Sequence, residues 1–228
     1  MIMRKLFTLF VAAALILSCS APATEQQKEQ TSVSEEVAQD STETVLLNPN
    51  RATGEELGAI EAIGDSAAVI IVANRPYLDM TSFHNQLVEL IGEVDEELVY
   101  NQVFVPINLN TAAEEEFKFV PGVGDKMAHE FEEYRPYTKV EQFRREIGKY
   151  VDEAEVARYE NFVFVPFDLN TASDEEFLSI PGVGDKMLYE FKEYRPYTSL
   201  EQFRREIGKY VSQDEFALYE RYVQIIED

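Results

Sequence analysis

Two identical segments of this chain combine glycine, aspartate and lysine in an order that suits the binding of an anion. Residues 121–127 read Pro-Gly-Val-Gly-Asp-Lys-Met, and the same seven residues recur at 181–187. Paired glycines permit a tight turn and a close approach of the backbone, while the valine between them is expected to plug into the core. A helix that begins after such a turn points free amides and the positive end of its dipole outward, which favours a phosphate. Lys126 and Lys186 lie in the first turn of these predicted helices, where they can contact the same phosphate.

The two segments belong to a repeat of sixty residues, which sets the architecture of the chain. When residues 108–167 are aligned without gaps to the sixty residues that follow, about 38 positions are identical. A third, decayed copy lies upstream at the same offset, where Arg75-Pro76-Tyr77 matches Arg135-Pro136-Tyr137. The repeat predicts three units, which we call unit 1 (48–107), unit 2 (108–167) and unit 3 (168–228).

Each unit carries the start and stop signals of four helices, so the predicted fold class is all-α. A side-chain oxygen with an acidic residue three positions later fits the capping box of a helix start. Such pairs are Thr111 with Glu114, Thr138 with Glu141, Thr198 with Glu201, and Ser212 with Glu215. Pro136 and Pro196 are expected to end the second helix of their units, because proline cannot continue a helix. A unit therefore runs helix, glycine turn, helix, Arg-Pro-Tyr turn, helix, short turn and helix.

Apolar residues at three- and four-residue steps predict the core of each unit. In unit 2 the two stripes comprise Phe117, Val120, Met127, Phe131 and Tyr134, and then Val140, Phe143, Ile147, Val156, Tyr159 and Val163. We interpret the aromatic residues as core, since burying one phenylalanine contributes about 1.5–3 kcal/mol. Sixty residues lie near the lower limit for independent folding, so packing between units is expected to supplement each core. Residues 162–166 are interpreted as an extended connection, with a short strand as the alternative.

The repeat resembles the helix-hairpin-helix family, in particular the double modules of ComEA-like competence proteins, which pair a well-formed hairpin with a degenerate one. In unit 2 the resemblance is carried by Leu109 to Ala112, Glu116-Phe117, Pro121 to Gly124, Tyr134-Arg135, Tyr137, Phe143 and Ile147-Gly148. It extends from about residue 48 to the C-terminus and is strong in units 2 and 3. It implies three tandem double helix-hairpin-helix units. It also implies sequence-independent binding of double-stranded DNA through hairpin amides, which in ComEA-like proteins serves DNA uptake.

Transferred position by position, the resemblance assigns DNA contacts to the two glycine turns. The candidate DNA-binding residues are Gly122, Val123, Gly124, Lys126, Gly182, Val183, Gly184 and Lys186. Unit 1 departs from the pattern, because residues 61–66 lack the first glycine and the lysine, and we expect this unit to contact no nucleic acid. The second half of units 2 and 3 keeps a single glycine, at Gly148 and Gly208.

The chain is strongly acidic, which limits the partners that it can bind. Its 43 aspartates and glutamates outnumber its 20 lysines and arginines, for a net charge of −23. Units 2 and 3 hold 8 and 7 basic residues against 2 in unit 1, so we place any DNA contact there. Because affinity for DNA comes largely from counterion release at neutralised phosphates, binding is expected to be weak and salt-sensitive.

Most of the arginines have a structural interpretation. The pairs Arg144-Arg145 and Arg204-Arg205 are expected to form ion pairs with neighbouring glutamates, with contact to a phosphate as the alternative. The expected partners are Glu141, Glu146, Glu201 and Glu206. Arg135 and Arg195 are interpreted as turn residues that bridge helices.

The first nineteen residues carry the features of an export signal. Arg4 and Lys5 precede an apolar run from Leu6 to Leu17, which at about 12 residues is too short to span a bilayer but suits a cleaved signal. The run leads to Cys19, the only cysteine of the chain. This end resembles the lipobox of bacterial lipoproteins, which implies a signal peptide at 1–18 and acylation of Cys19; an ordinary secretory signal is the alternative. Ser20 follows the cysteine, which in lipoproteins of two-membrane bacteria favours the outer membrane.

Residues 19–47 are predicted to be the lipidated cysteine and a flexible linker. Residues 20–44 are rich in serine, threonine, glutamate and glutamine and contain no aromatic residue. Such a segment cannot bury enough apolar surface to offset the entropy that ordering costs.

Two functions fit these features, and neither is enzymatic. The sequence contains no nucleophile–base set and no phosphate-binding P-loop. It predicts no cofactor, no metal site and no small-molecule substrate, since His84 and His129 each stand alone. The first function is a lipid-anchored protein of the cell envelope that captures double-stranded DNA through units 2 and 3. The second is an acidic scaffold that binds another envelope protein.

Overall fold

A computed structural model describes residues 45–226 of the chain. The predicted signal peptide at 1–18, the proposed lipidation site Cys19 and the linker up to residue 44 lie outside the described residues. In the described part of the chain, no helix has the length and apolar character needed to cross a bilayer.

Residues 45–226 contain twelve helices, which follow one another in three sets of four. The first set is α1 (Gly54–Gly58), α2 (Gly64–Ala73), α3 (Met80–Ile91) and α4 (Glu96–Tyr100). The second is α5 (Glu114–Phe117), α6 (Asp125–Glu133), α7 (Val140–Ile147) and α8 (Glu153–Glu160). The third is α9 (Asp174–Ser179), α10 (Asp185–Glu193), α11 (Leu200–Ile207) and α12 (Gln213–Glu220). The predicted helical class and the order of the helices are confirmed, while the count of three helix-hairpin-helix units stays a prediction.

Short parallel strands bring the two ends of each unit together. β1 (Ile107–Asn108) pairs with β2 (Val163–Phe164), and β3 (Phe167–Asp168) pairs with β4 (Val223–Gln224). Leu47 forms the equivalent parallel bridge with Val103 in unit 1. Residues 162–166 thus contain a short strand, so their interpretation as an extended connection was wrong and the alternative was right. The strand forms because α8 ends beside the first residues of its own unit.

The strands also show where the units meet. The predicted boundaries at 107–108 and 167–168 fall inside β1 and β3, so Ile107 and Phe167 belong with the unit that follows them. Leu47, predicted as the end of the linker, is likewise part of the ordered fold, since its N–H donates to Gln102 O at 2.8 Å.

An asparagine holds the Arg-Pro-Tyr turn in the middle of each unit. In unit 2 the Asn110 side chain accepts from the Tyr137 N–H at 2.7 Å and donates to the Tyr137 carbonyl at 2.8 Å. Asn50 with Tyr77 and Asn170 with Tyr197 repeat this pair of hydrogen bonds. The peptide bond before each of the three prolines is cis. The turn that separates the two helix pairs is therefore fixed by one side chain that lies 27 residues earlier in the sequence.

The arginine of the same turn adds a second tie. Arg135 donates to the Leu109 carbonyl and, at 2.6 Å, to the Ala112 carbonyl, and Arg195 makes the equivalent contacts in unit 3. Arg135 also lies over the Phe117 ring of α5 at 5.3 Å, and Arg195 over the Phe177 ring of α9 at 4.9 Å, so the prediction that these turn residues bridge helices is confirmed.

Helix starts agree only in part with the predicted capping boxes. Ser212 with Glu215 forms the predicted box at α12. The other three pairs were wrong, because the N-caps are Ala113, Lys139 and Ser199. Thr111 lies instead in a turn whose N–H groups bond to Asn108 O, which delays the helix by two residues. Two further boxes occur at Thr53 with Glu56 and at Ser173 with Glu176.

The predicted apolar stripes form the core, and the units pack on one another. Phe117, Phe131 and Phe143 are fully buried, with neighbouring ring centroids 5.4 and 5.1 Å apart. Units 1 and 2 share a single hydrophobic core, while unit 3 has its own. Phe164 of β2 stacks on Tyr222, which lies between α12 and β4, with ring centroids 4.5 Å apart. Packing between units does supplement each small core.

Polar contacts at the unit junctions include a half-buried carboxylate, Glu116 of α5. Its Oε1 accepts from the Met80 N–H at the start of α3, at 3.0 Å. Nearby, Arg221 donates to the Pro106 carbonyl at 2.9 Å and its own carbonyl accepts from Asn108 at 2.6 Å. Burial raises the pKa of the Glu116 carboxyl, against the opposing effects of the Met80 hydrogen bond and of Arg221. The charged form of Glu116 is thus less favourable in the folded protein than in water.

We expect Glu116→Gln to make the protein more stable than the wild type at pH 7. A carboxyl whose pKa is raised by folding contributes stability below its unfolded pKa of about 4.3, and that contribution is lost as the pH rises through the folded value. Glutamine keeps the acceptor for Met80 and carries no charge, so the difference should vanish near pH 3. Urea denaturation at the two pH values measures it.

The matched control is Glu176→Gln, sixty residues on. Glu176 is exposed and accepts from the Ser173 N–H as the acid of a capping box, so this change should lower stability slightly. A Glu116→Gln protein that is less stable than wild type at pH 7 would contradict the expectation.

Candidate functional site

The candidate site consists of the turns between the first two helices of units 2 and 3. We call α1–α2 hairpin 1, α5–α6 hairpin 2 and α9–α10 hairpin 3. Gly122 and Gly182 have φ values of +80° and +84°, in the left-handed region that other residues avoid. Gly124 and Gly184 are the N-caps of α6 and α10, and neither helix start has a side-chain cap hydrogen bond. The predicted glycine turns are therefore present in both hairpins.

The amides after these turns have no acceptor within residues 45–226. In hairpin 2 the first backbone bond of α6 is from Ala128 N–H to Gly124 O, and the amides of residues 124–126 donate to no described oxygen. Hairpin 3 is the same, with Leu188 N–H bonded to Gly184 O and residues 184–186 free. These six residues are exposed, and a methyl group added at Gly124 or Gly184 would meet no atom within 4 Å. An anionic oxygen can approach both sets of amides from solvent.

The two valines of the predicted site do not share this arrangement. Val123 and Val183 are buried, as expected for residues that plug into the core. Their N–H groups are already bonded to the carbonyls of Val120 and Ile180. Neither their side chains nor their amides are available to a ligand, so these two residues position the turn rather than contact anything beyond it.

Hairpin 2 neutralises the acid next to its amides. Lys118, at the end of α5, lies 2.7 Å from the Asp125 carboxylate and 2.8 Å from Glu115. The hydrogen bond from Lys118 holds the pKa of Asp125 below its usual range. Asp125 is thus turned toward a lysine and does not cap its own helix. Hairpin 3 has Leu178 in place of Lys118, and Asp185 has no ion pair in the part of the chain that the structure describes.

A second basic residue borders hairpin 2 alone. Arg158 of α8 donates to the Pro121 carbonyl at 2.7 Å, while an ion pair with Glu155 compensates part of its charge. In hairpin 3 the equivalent residue is Leu218, and the neighbouring Tyr219 hydroxyl donates to Gly182 O at 3.2 Å. Sequence reasoning missed both Lys118 and Arg158. Their only signal is that they are among the positions where the two repeats differ.

Hairpin 1 lacks the arrangement, in agreement with its sequence. The turn between α1 and α2 is closed by two hydrogen bonds, with Ile63 N–H and Gly64 N–H both bonded to Ile60 O. The amide equivalent to that of Gly124 is therefore occupied. The Asp65 carboxylate also packs against Gly58, which places an acid beside the turn.

Most other basic side chains of units 2 and 3 are occupied by acids. Arg145 and Arg205 pair with Glu146 and Glu206 as predicted. Arg144 also forms the predicted pair with Glu141, at 3.8 Å, but Arg144 and Arg204 make their closest contacts with Glu160 and Glu220 on the next helix, at 2.6 and 2.5 Å. In contrast, Lys126, Lys139 and Lys186 have no ion pair within residues 45–226.

The histidines take no part in a metal site in the described residues. His84 lies 2.5 Å from the Tyr100 hydroxyl, and the exposed His129 lies 3.5 Å from Glu114. Across residues 45–226, no group of three or more histidine, cysteine, aspartate or glutamate side chains is arranged to hold a metal ion.

A family model described as helix-hairpin-helix motif matches residues 102–153. The match begins just after α4, ends at the first residue of α8 and includes the whole of hairpin 2. The chain thus contains a helix-hairpin-helix domain at these residues, and this motif is generally associated with nucleic-acid binding without sequence preference. No curated protein and no solved structure matches the chain.

The two glycines of hairpin 2 should respond differently to substitution. We expect Gly122→Ala to destabilise the protein by about 1–3 kcal/mol, because a side chain is strained at positive φ and its Cβ would lie 3.2 Å from Arg158. Gly124→Ala should cost less than about 1 kcal/mol, since its φ of −98° is ordinary and only some N-cap preference is lost. Urea denaturation of the two variants compares these costs, and equal destabilisation would show that the turn is not as described.

Proposed function

We propose that this protein binds double-stranded DNA without sequence preference, through the backbone amides of hairpins 2 and 3. The observation that carries the proposal is the set of exposed, unpaired amides at residues 124–126 and 184–186, each beside a lysine that has no ion pair in the described residues. A helix N-terminus with free amides attracts a phosphate through both hydrogen bonds and the helix dipole. Helix-hairpin-helix domains are typically DNA-binding modules without catalytic activity, which supports a binding role.

The charge of the protein determines how strong this binding can be. The net charge of −23 repels DNA at long range, and the ion pairs described above leave few basic side chains free. In the described residues no carboxylate accepts a hydrogen bond from the backbone amides of residues 124–126 and 184–186, so their partial positive charge stays available to a ligand. Binding should therefore depend on amides and a few lysines, and it should weaken as salt competes for the phosphates.

We expect the double variant Gly124→Ala and Gly184→Ala to bind a duplex at least about tenfold more weakly than wild type. The added methyl groups would meet no atom of the free protein within 4 Å, and we expect them to hinder a phosphate that approaches the adjacent amides. A hydrogen bond to a charged group contributes about 1.5–3 kcal/mol, and 1.4 kcal/mol corresponds to tenfold. Fluorescence anisotropy of the full-length protein with a labelled duplex, at low and at moderate salt, measures the loss.

Lysine variants provide the matched controls for that experiment. Lys126→Glu should weaken binding more than Lys186→Glu, because Lys118 neutralises Asp125 beside the amides of hairpin 2, whereas Asp185 of hairpin 3 has no ion pair in the described residues. Lys139→Glu changes the same charge outside the turns, at the N-cap of α7, and should have a small effect. Equal losses for all three would mean that total charge, and not the hairpins, governs binding. Absence of duplex binding at low salt would refute the proposal.

The second candidate function is a scaffold that binds another envelope protein. It is favoured by the outer face of α2, where Val69 is 67% exposed and Ile70 and Val72 are also exposed. Units 2 and 3 have charged or polar-tipped side chains at these positions, of which only Glu130 is buried; they are His129, Glu130 and Glu132, and Tyr189, Glu190 and Lys192. Unit 1, which lacks the paired-glycine turn, thus presents an aliphatic surface on α2. If the protein does not bind DNA, this surface of α2 is where we expect another protein to bind.

We further propose that the protein is a lipoprotein of the cell envelope, acylated at Cys19 and held at the outer membrane. The support is the sequence of residues 1–20, and with DNA binding it suggests a ComEA-like role in capturing DNA for uptake. A polar segment between Cys19 and the first helix would carry the hairpins away from the lipid surface.

Cys19→Ser should remove the anchor. We expect this variant to incorporate no labelled palmitate and to leave the membrane fraction, while Ser20→Asp should remain acylated. Metabolic labelling and fractionation of cells test both. A wild-type protein that is processed and soluble, without an acyl chain, would indicate an ordinary secretory signal.

A further inference from the structure

A pair of tyrosines borders hairpin 3. The hydroxyl oxygens of Tyr194 and Tyr210 lie 2.9 Å apart, one residue at the end of α10 and the other after α11. The Lys186 Nζ lies 6.0 Å from the centroid of the Tyr210 ring, and the Lys209 Nζ lies 5.6 Å from that of Tyr194. Because Lys186 is in the first turn of α10, its side chain reaches from the end of the helix that carries the unpaired amides toward the tyrosine pair.

The same pair recurs in unit 2 and is absent from unit 1. Tyr134 and Tyr150 have their hydroxyl oxygens 2.8 Å apart, with the Lys149 Nζ 4.8 Å from the Tyr134 ring centroid. The equivalent residues of unit 1 are Asn74 and Leu90. Unit 1 nevertheless folds into the same four helices, so the pair is not needed to build the unit. It accompanies only the hairpins with paired glycines.

The outer tyrosine of each pair is open to solvent. Tyr150 is 41% exposed and Tyr210 is 38% exposed, although both carry a large aromatic ring. The hydroxyl–hydroxyl bond restrains each ring, so little rotational freedom remains to be lost when a planar group stacks on it. Aromatic rings interleaved with lysines are the surface on which proteins stack the bases of single strands.

The lysines of this surface are not equally available. Lys149 and Lys209 also contact Glu146 and Glu206, which neutralises much of their charge. Lys186 has no such partner in the described residues and can contact a phosphate next to a stacked base. Bases inside a duplex are stacked on each other and offer no face to a tyrosine, whereas unpaired bases do.

We propose that Tyr150 and Tyr210 stack on unpaired nucleobases, so that the protein binds single-stranded nucleic acid whose phosphates lie on hairpins 2 and 3. This inference rests on the proposed function of the hairpins and adds a base-binding surface to it. The site takes single-stranded tails, gaps or ends, in addition to the duplex that the hairpins hold by its backbone.

The test compares two probes and two sets of variants of the full-length protein. The probes are an oligodeoxythymidylate of about 20 nucleotides, longer than the site of one single-strand-binding module, and a duplex of the same length. The variants are Tyr150→Leu with Tyr210→Leu, and Tyr150→Phe with Tyr210→Phe. Leucine removes the aromatic face, while phenylalanine keeps it and removes only the hydroxyl bond.

We expect the leucine variant to bind oligodeoxythymidylate about tenfold more weakly for each tyrosine, with duplex binding unchanged. The phenylalanine variant should lose much less affinity than the leucine variant, because it keeps the aromatic face and gives up only the restraint on the rings. The protein contains no tryptophan, so its intrinsic fluorescence comes from tyrosine. Oligodeoxythymidylate should quench part of this fluorescence in wild type, and less in the leucine variant.

Each of the other outcomes would overturn base stacking by the tyrosines, duplex binding by the hairpins, or both. Equal losses of single-strand binding in the leucine and phenylalanine variants would show that each tyrosine pair acts through its hydroxyl bond, by holding the second helix of its unit to the segment after the third helix. The stacking proposal would then be overturned. Hairpin-dependent duplex binding with no effect of the leucine changes would overturn the stacking proposal and leave the hairpin function intact. Tyrosine-dependent single-strand binding without duplex binding would overturn the duplex function alone. Binding of neither probe would overturn both.

Discussion

The structure depends on the closure of each sixty-residue unit at its two ends. Most of its helices have ten residues or fewer, and isolated helices shorter than about 12–15 residues are marginal in water. Pairing of Ile107 with Val163 joins the ends of unit 2, and the Asn110 side chain fixes the turn between its two helix pairs. These polar ties hold the aromatic core of Phe117, Phe131 and Phe143 in register, and the hairpins project from that closed frame.

The exposed amides of hairpins 2 and 3 reconcile an acidic protein with an anionic ligand. An amide at a solvent-facing turn costs little when unpaired, because water satisfies it until a phosphate takes its place. Side-chain cations in this chain are largely consumed by ion pairs such as Arg144 with Glu160. The partial charge of a helix start cannot be neutralised in that way unless a side chain caps it, and Asp125 is diverted to Lys118. The fold thereby keeps a small positive site on a negative surface.

Units 2 and 3 share the same seven-residue turn but not the same surroundings. Lys118 and Arg158 stand beside hairpin 2, where unit 3 has Leu178 and Leu218. The two hairpins therefore present similar geometry in different electrostatic settings. Unit 1 has diverged further, with an occupied amide at Gly64 and aliphatic residues on the outer face of α2. The three copies therefore share a fold but differ in the side chains that they expose around the hairpin.

The sequence by itself determined the repeat, the order of the helices, the buried valines and the glycine turns, because these follow from local periodicity and from backbone preferences of glycine and proline. It did not determine the helix starts at Ala113, Lys139 and Ser199, since the Asn108 turn and the Gln142 and Gln202 side chains compete with the predicted caps. The short strands and the positions of Lys118, Arg158 and the tyrosine pairs were decided by tertiary structure alone. Lys118 meets Asp125 across the turn of hairpin 2, and the other contacts join residues sixteen or more positions apart, whose proximity the folding of the whole unit creates.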